Sequence, residues 1–600
     1  MNSNIQDLMH SVRYDKKHFY IVGGNIFDNV FLGASYPNFI RFLHDLTPKK
    51  FPNFISFDLF SGIEVLRGDK EIIMRANRNN FAETQARNSN QDAITRAFEQ
   101  INAAQGLAQQ NDASLLSTFR TFDRLLHEPL GEKTIIVIQY ADIFFQSANG
   151  AVSQFDLIAL QTALHKWALD EDIHKNGHAI LCLGKRIDEA ASILLDRCGC
   201  VHQLRIPKPS QEEICEYLIC HLRVSEERAK LLGRSCAGLS FKEVQRMYLS
   251  LDESSDEEAL DCCFRAKKSV LQEEYGDVLE VMGSSYGFDA IGGLEKPIKE
   301  MKQIARAMRE GKTALVPQGM AFFGPPGTGK TILMQATAKE AGVNAVRARD
   351  LKNMFLGESE RLKTRFLNAL KDVAPVIVLV DELDQAYKER GSYDGDSGVS
   401  KDAFKKDLEI MSDPSLRGKV LFVFASNHPD LVDSALKRAG RCDLRIPFPP
   451  FRARELAKIC KAALVQFPEI KTDITDFLPF LMEKQNGKVV EKYEGYSGAD
   501  MVEVIRRAWK YALYDEREKI LHEDMEWALK DYIPQKADEF EIARMTLLAF
   551  RECSSMSLLP DNWKELHEKY GRILMEHSGS DDIDSILYPS RSHARIMTAR

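Results

Sequence analysis

The chain has 600 residues, too many for one hydrophobic core, and length alone gives a prior of roughly four domains. Its 44% apolar and 28% charged composition is that of a soluble globular protein, and no tract is long and apolar enough to span a bilayer. A formal charge of −8 counts against a protein that coats nucleic acid and points to protein partners, while leaving room for a local basic channel.

The opening residues, MNSNIQDLMHSVRYDKK, lack the apolar stretch of a secretory signal, so the expected address is the cytoplasm. IVGGNIFDNVFLG (Ile21 to Gly33) carries glycines but no lysine, too little for a phosphate-wrapping loop. The Gln- and Asn-rich stretch from Ala82 to Ser114 is expected to be a surface helix or loose loop. TIIVIQYAD (Thr134 to Asp142) and AILCLG (Ala179 to Gly184) are continuous apolar runs, the pattern of buried parallel strands. All eleven cysteines lie between Cys182 and Cys553 without paired CxxC spacing. Cys198, Cys200 and His202 cluster, but no fourth ligand is evident and no metal site is assigned there.

LRIPKP (Leu204 to Pro209) returns as LRIPFP (Leu444 to Pro449), 240 residues later. Upstream of the second copy stand VIVLVDELD (Val376 to Asp384) and VLFVFAS (Val420 to Ser426), in the order of the first pair. Each copy is followed by a mainly helical stretch, from Gln211 and from Ala453 to Tyr532, with the boundary expected between Glu253 and Tyr286. The expected fold is α/β throughout: two modules, each a parallel-sheet core with a helical lid. The domains expected are a first core at 1–210, its lid and linker at 211–284, a second core at 285–450, its lid at 451–535, a helical extension at 536–577 and a flexible tail at 578–600.

Within the second core, the apolar strand GMAFF (Gly319 to Phe323) runs into GPPGTGKT, then into the helical ILMQATAKEAG. Gly324, Pro325, Pro326, Gly327, Thr328, Gly329, Lys330 and Thr331 are therefore read as a phosphate loop of Walker A pattern. Its glycines let backbone N–H groups turn inward, and the helix N-terminus adds partial positive charge. Lys330 is expected to reach the β and γ phosphates of ATP, and the Thr331 hydroxyl to ligate Mg2+. VIVLV delivers Asp381 and Glu382 at a strand end, as a Walker B pattern, where parallel sheets hold their ligands. Asp381 suits a magnesium holder and Glu382 a base for the attacking water.

Together, FDAIGGLEKPIKEM before the loop, the loop itself, VDELD, SNHPD, DSALKRAGRCD and GYSGAD resemble, in order and spacing, the AAA ATPases related to valosin-containing protein and the proteasomal ATPases. The resemblance covers about Ser285 to Pro534. It implies ATP as nucleotide, an ATPase activity and a ring, usually a hexamer. Residue by residue, it implies that Asn427 is a polar sensor placing the attacking water. It makes Arg438 and Arg441 fingers reaching a neighbouring subunit's site, a role worth on the order of a thousand-fold or more in phosphoryl transfer. Asp289, Ile291 and Gly292 become the adenine-contacting segment, with Gly498 and Ala499 closing from the lid. LKNMFLGESERLKTRF resembles the family's first pore loop, with Phe355, Leu356 and Gly357 gripping an extended polypeptide. One departure is SDPSLRGK, which lacks the Asp-Gly-aromatic element that signals between subunits in many of these rings.

The first module has Gln139 and Tyr140 opposite Asp381 and Glu382, and Cys198 and Val201 opposite Arg438 and Arg441. It is expected to be a degenerate AAA module without hydrolysis, serving ring assembly, substrate admission or partner docking. The expected function is a chaperone-like, protein-remodelling motor, probed against two alternatives: a non-threading assembly switch, and a nucleic-acid motor or clamp loader, which the acidic balance, the aromatic loop and GYSGAD count against.

Overall fold

The computed structural model describes residues 3–14, 17–31, 35, 36, 38–47, 51–73, 115–128, 132–145, 154–187, 201–251, 255–283, 286–349, 360–381, 413–438, 440–485, 488–493, 495–534, 538–579 and 582–588. The chain divides into two units, one of Met1–Arg234 with Leu239–Asp252, the other of Ser235–Gly238 with Glu253–Arg600.

The first unit is built on a six-stranded sheet of β1 (Phe19–Gly24), β2 (Asn53–Asp58), β3 (Gly62–Arg67), β4 (Thr134–Ile138), β5 (Ala179–Leu183) and β6 (Val201–Ile206). Its spatial order is β3-β2-β4-β5-β1-β6, parallel except for the β2–β3 hairpin. Alternation along each strand feeds two cores, because neighbouring side chains leave opposite faces of the pleat. Phe19, Ile21, Ile136, Ile138, Ile180 and Cys182 pack on one face. Tyr20, Val22, Ile135, Val137 and Leu181 pack on the other.

The second unit repeats this plan with β7 (Leu279–Met282), β8 (Gly319–Phe323), β9 (Asn344–Ala348), β10 (Val376–Val380), β11 (Val420–Ser426) and β12 (Leu444–Pro447), in the order β12-β8-β11-β10-β9-β7. Read from the opposite edge, the first sheet runs β6-β1-β5-β4-β2-β3, so five strands keep the same succession while the edge strand differs in origin: β3 follows β2 in the chain, whereas β7 precedes β8. Both sheets even end on an antiparallel strand, β3 beside β2 and β7 beside β9. Met320, Phe322, Ile377, Leu379, Leu421 and Val423 fill one core. Ala321, Phe323, Val376, Val378, Phe422 and Phe424 fill the other. The parallel-sheet α/β architecture expected for each half is the one observed.

One local expectation is corrected and two are filled in. The region expected to hold the boundary, Glu253 to Tyr286, contains the helix Asp256–Tyr275, opened by a capping box of Ser255 and Glu258, and then β7, which pairs with β9. The lid is not purely helical: Met482–Gln485 and Lys488–Glu491 form a hairpin, and Lys471–Thr472 pairs with Lys519–Ile520. Within the expected flexible tail, Ile583–Leu587 is a short helix whose Leu587 is fully buried against the helices Glu539–Arg551 and Trp563–Ser578, because Ile583, Ile586 and Leu587 share one apolar face. The Gln- and Asn-rich stretch lies outside the described residues, as do Cys198 and Cys200. No helix among the described residues is long and apolar enough to cross a membrane.

Candidate active site

Parallel pairing brings the C-terminal ends of β8, β10 and β11 to one edge of the second sheet. Phe323 pairs with Ser426 and Val380 with Phe424, so Gly324, Asp381 and Asn427, each the next residue after its strand or its partner, leave the sheet together. The Gly324 N–H donates to the Ser426 carbonyl at 3.4 Å and fixes the start of the loop.

From Gly324 the backbone uses conformations that side chains resist: Gly324, Gly327 and Gly329 all have positive φ, at 149°, 73° and 87°. A Cβ on Gly324 would stand 2.1 Å from the Phe448 carbonyl oxygen. Gly329 caps the helix Lys330–Ala341, whose first N–H groups have no intrahelical partner and face the loop's interior. The buried Thr328 hydroxyl ties the loop to itself through the Pro325 carbonyl at 2.8 Å. The Lys330 ammonium donates to the Gly324 and Pro325 carbonyls, both at 2.8 Å, and to Asn427 Oδ1 at 2.9 Å. A cation held by three neutral oxygens at the mouth of a helix N-terminus is an arrangement that an anion can enter. Asp381 lies 3.7 Å from the Arg347 guanidinium of β9, and both side chains are partly exposed.

The lid meets this loop directly. The helix Gly498–Tyr514 begins with a capping box of Ser497 and Asp500, and the Gly498 N–H donates to the Gly327 carbonyl at 3.1 Å. A side chain on Gly498 would meet the Phe451 ring; Ala499, beside it, is exposed. The lid helix Ala453–Gln466 also reaches the segment at 289–292: Gln466 donates to the Ala290 carbonyl at 2.8 Å, and a Cβ on Gly292 would lie 2.4 Å from the Ile459 nitrogen. Asp289, Ile291 and Gly292 line a cavity of about 720 Å3 with Lys299, Lys302 and Lys458. No phosphate-loop residue lines it, so it is an adjoining space and not the phosphate site itself.

Arg438 and Arg441 sit on the loop entering β12. Arg438 is exposed and makes no side-chain hydrogen bond or ion pair among the described residues, whereas Arg441 donates to the Ala435 carbonyl at 2.8 Å. Asp443 holds the loop by accepting from the backbone of Gln318 and Gly440 at 2.9 and 2.6 Å. Glu382, Phe355, Leu356 and Gly357 fall outside the described residues.

Residues 320–450 match the model of the family described as ATPase family associated with various cellular activities (AAA). The second unit carries an AAA ATPase domain. An ATPase activity, and with it ATP binding, therefore belongs to this protein. Residues 5–201 match a second family, described as AAA+ chaperone, N-terminal Rossmann-like domain. Five strands of the two sheets share one order, so the ends of these strands can be compared.

Where the AAA domain has its loop after β8, the N-terminal domain has Asn25 to Asp28 after β1. The Asp28 carboxylate is buried and accepts from the backbone N–H groups of Phe241 and Lys242 at 2.7 and 3.1 Å and from Asn25 at 2.9 Å. Burial raises its pKa above the ordinary carboxylate value, and the Asn25 and backbone donors oppose that rise. Lys242 also donates to the Phe27 carbonyl, and the Phe27 ring stacks on Tyr140 at 4.7 Å. Tyr140, the second residue after β4, takes positive φ, and Gln139 before it donates to Ser56 at 2.7 Å. The helix Phe241–Leu249 opens with a Ser240–Glu243 capping box, as Ser497 and Asp500 open the lid helix of the AAA domain. GLSFKE at Gly238 to Glu243 is therefore a counterpart of GYSGAD, with Phe241 and Lys242 in place of Gly498 and Ala499. The capping-box spacing was the available signal for it; Asp28 gave none.

Proposed function

We propose that the chain assembles into a ring, a homohexamer in the cytoplasm, that hydrolyses ATP in its second unit and uses turnover to remodel a protein substrate. The observation that supports this best is the Lys330 ammonium bound to two loop carbonyls and to Asn427, at a helix N-terminus. In this reading Lys330 exchanges those oxygens for the β and γ phosphate oxygens. Asn427, released from the ammonium, orients water, and Glu382 takes its proton. A carboxylate and a hydroxyl, Asp381 and Thr331, form a donor set suited to hydrated Mg2+, which when bound would neutralise phosphate charge. The Arg347 guanidinium, 3.7 Å from Asp381, is a cationic neighbour that supports reading this carboxylate as a cation holder. Asp289, Ile291 and Gly292 receive the adenine, Gly498 and Ala499 close over it, and the exposed Arg438 with Arg441 completes the site of a neighbouring subunit. Phe355 and Leu356 grip the substrate polypeptide.

The N-terminal domain is proposed as an AAA-like core without hydrolysis. Asp28 holds the start of its lid helix, Gln139 and Tyr140 supply neither an acid nor a base, and no lysine follows β1 in a phosphate-loop pattern. Two measurements test the whole reading. Calorimetric titration with an ATP analogue should give one site per chain, and Lys330→Ala should remove it; residual stoichiometric binding would assign a nucleotide to the first unit. The Glu382→Gln protein, loaded with ATP, should retain a protein substrate through purification, whereas recovery of nucleic acid alone would overturn the remodelling function.

A further inference from the structure

The helix Glu539–Arg551 lies beyond the lid and outside the matched residues 320–450, yet it packs on β8, on β12 and on the turn Pro429–Leu431. From it Arg544 donates to Asp430 Oδ2 at 2.5 Å, with side chains only 15% and 6% exposed. Asp430 Oδ1 is buried and has no partner among the described residues, so Arg544 is the only side-chain compensation for this charge there. Removing one member of such a pair leaves the other charged and desolvated. Asp430 stands three residues after Asn427, in a one-turn 3-10 helix that starts at Pro429. The tether therefore acts close to the side chain that holds Lys330.

The other end of the same helix grips a second loop. Glu552 accepts from the Lys437 ammonium at 2.9 Å through its carboxylate and from Arg445 Nε at 2.7 Å through its carbonyl. Arg445 returns to the Lys437 carbonyl at 2.5 Å, and its backbone N–H donates to Ser554 Oγ at 3.0 Å. Lys437 is the residue before Arg438. One helix thus fixes, through charged contacts, both the turn after Asn427 and the loop that presents Arg438 and Arg441.

We infer that Arg544 and Glu552 are positioning residues for ATP hydrolysis, Arg544 acting on its own subunit's Asn427 and Glu552 acting on the arginines offered to a neighbour. The inference rests on the roles proposed above for Asn427, Arg438 and Arg441, and it separates a cis effect from a trans effect. In the full-length protein, Arg544→Ala should lower kcat at least tenfold, with ADP affinity and KM within about twofold and with partial rescue by Arg544→Lys. Glu552→Gln should also lower kcat, but its nucleotide site remains whole. Mixed with Lys330→Ala chains, whose arginines are intact, Glu552→Gln chains should regain activity above that of either variant alone; Arg544→Ala chains in the same mixture should not.

Controls separate the two levels. If Asn427→Ala were slow while Arg544→Ala turned over at the wild-type rate with only a lowered melting temperature, the Arg544 inference would be overturned and the sensor reading would stand. If Asn427→Ala kept the wild-type rate, the sensor reading itself would fall. If Arg438→Ala complemented Lys330→Ala but Glu552→Gln did not, the Glu552 inference would be overturned. Failure of both mixtures would instead remove the trans role of the arginines.

Discussion

The Lys330 ammonium and the Asn427 amide oxygen lie 2.9 Å apart, so the residue expected to hold phosphate and the residue expected to hold water are bonded to each other. In the proposed cycle phosphate takes the place of Asn427 on the ammonium, so Asn427 is freed as Lys330 finds its ligand. Asn427→Ala should therefore leave nucleotide affinity within about threefold and reduce kcat by roughly tenfold to a hundredfold, the range for losing one positioned polar group. Steady-state ATPase rates beside fluorescent-nucleotide titration check this.

Gly324→Ala should be costly at its first atom. The new Cβ would face the Phe448 carbonyl oxygen at 2.1 Å, a backbone group that cannot rotate away, and φ of 149° is itself disfavoured for alanine. A stability loss of about 1–3 kcal/mol is expected, with nucleotide affinity falling because the loop must shift. Thermal melting with and without ADP measures both parts.

Asp28→Ala in the first unit would strip the acceptor from one buried and one half-buried N–H group at the start of the helix Phe241–Leu249. The expected cost is about 1–3 kcal/mol, and Asp28→Asn, which keeps one acceptor oxygen, should cost less. Hydrogen exchange at the Phe241 and Lys242 amides should accelerate in Asp28→Ala before any change in the second unit.

His178 predicts the acid response of the first unit. It is buried, accepts from the Thr134 N–H at 3.1 Å, and burial lowers its pKa to about 4 from an ordinary 6.5. The unfolded chain takes up the proton below pH 6.5 while the folded one resists until about 4. Stability is thus complete above pH 6.5 and is lost as pH falls through that window, by at most about 3 kcal/mol. His178→Gln retains an acceptor for Thr134 and should flatten the slope seen in exchange of the Thr134 amide.

The parallel strands and the phosphate loop were legible because their signals are local: five or more buried apolar residues in a row, or glycines and a lysine at fixed spacing. The repeat anchored at Leu204 and Leu444 extends to five strands of each sheet, and only the edge strands β3 and β7 depart from it. Short edge elements were not legible. Leu279–Met282 has only four residues, too short a run to identify by pattern, and it is a strand because β9 offers it an edge. The contacts of Asp28 with Phe241 and of Asp430 with Arg544 bridge 213 and 114 residues. Nothing in the composition near either end announces its partner, since a carboxylate looks the same in sequence whether it is solvated or holds a helix.

The β7 strand, finally, decides where the second unit of this chain can be cut. An N-terminal boundary drawn at the first recognisable motif, near Ser285, would remove Leu279–Met282 and leave the Asn344–Ala348 backbone with an open row of donors and acceptors, the template on which sheets stick to one another. A recombinant fragment begun there should precipitate, and one begun ahead of Asp256 should stay monodisperse.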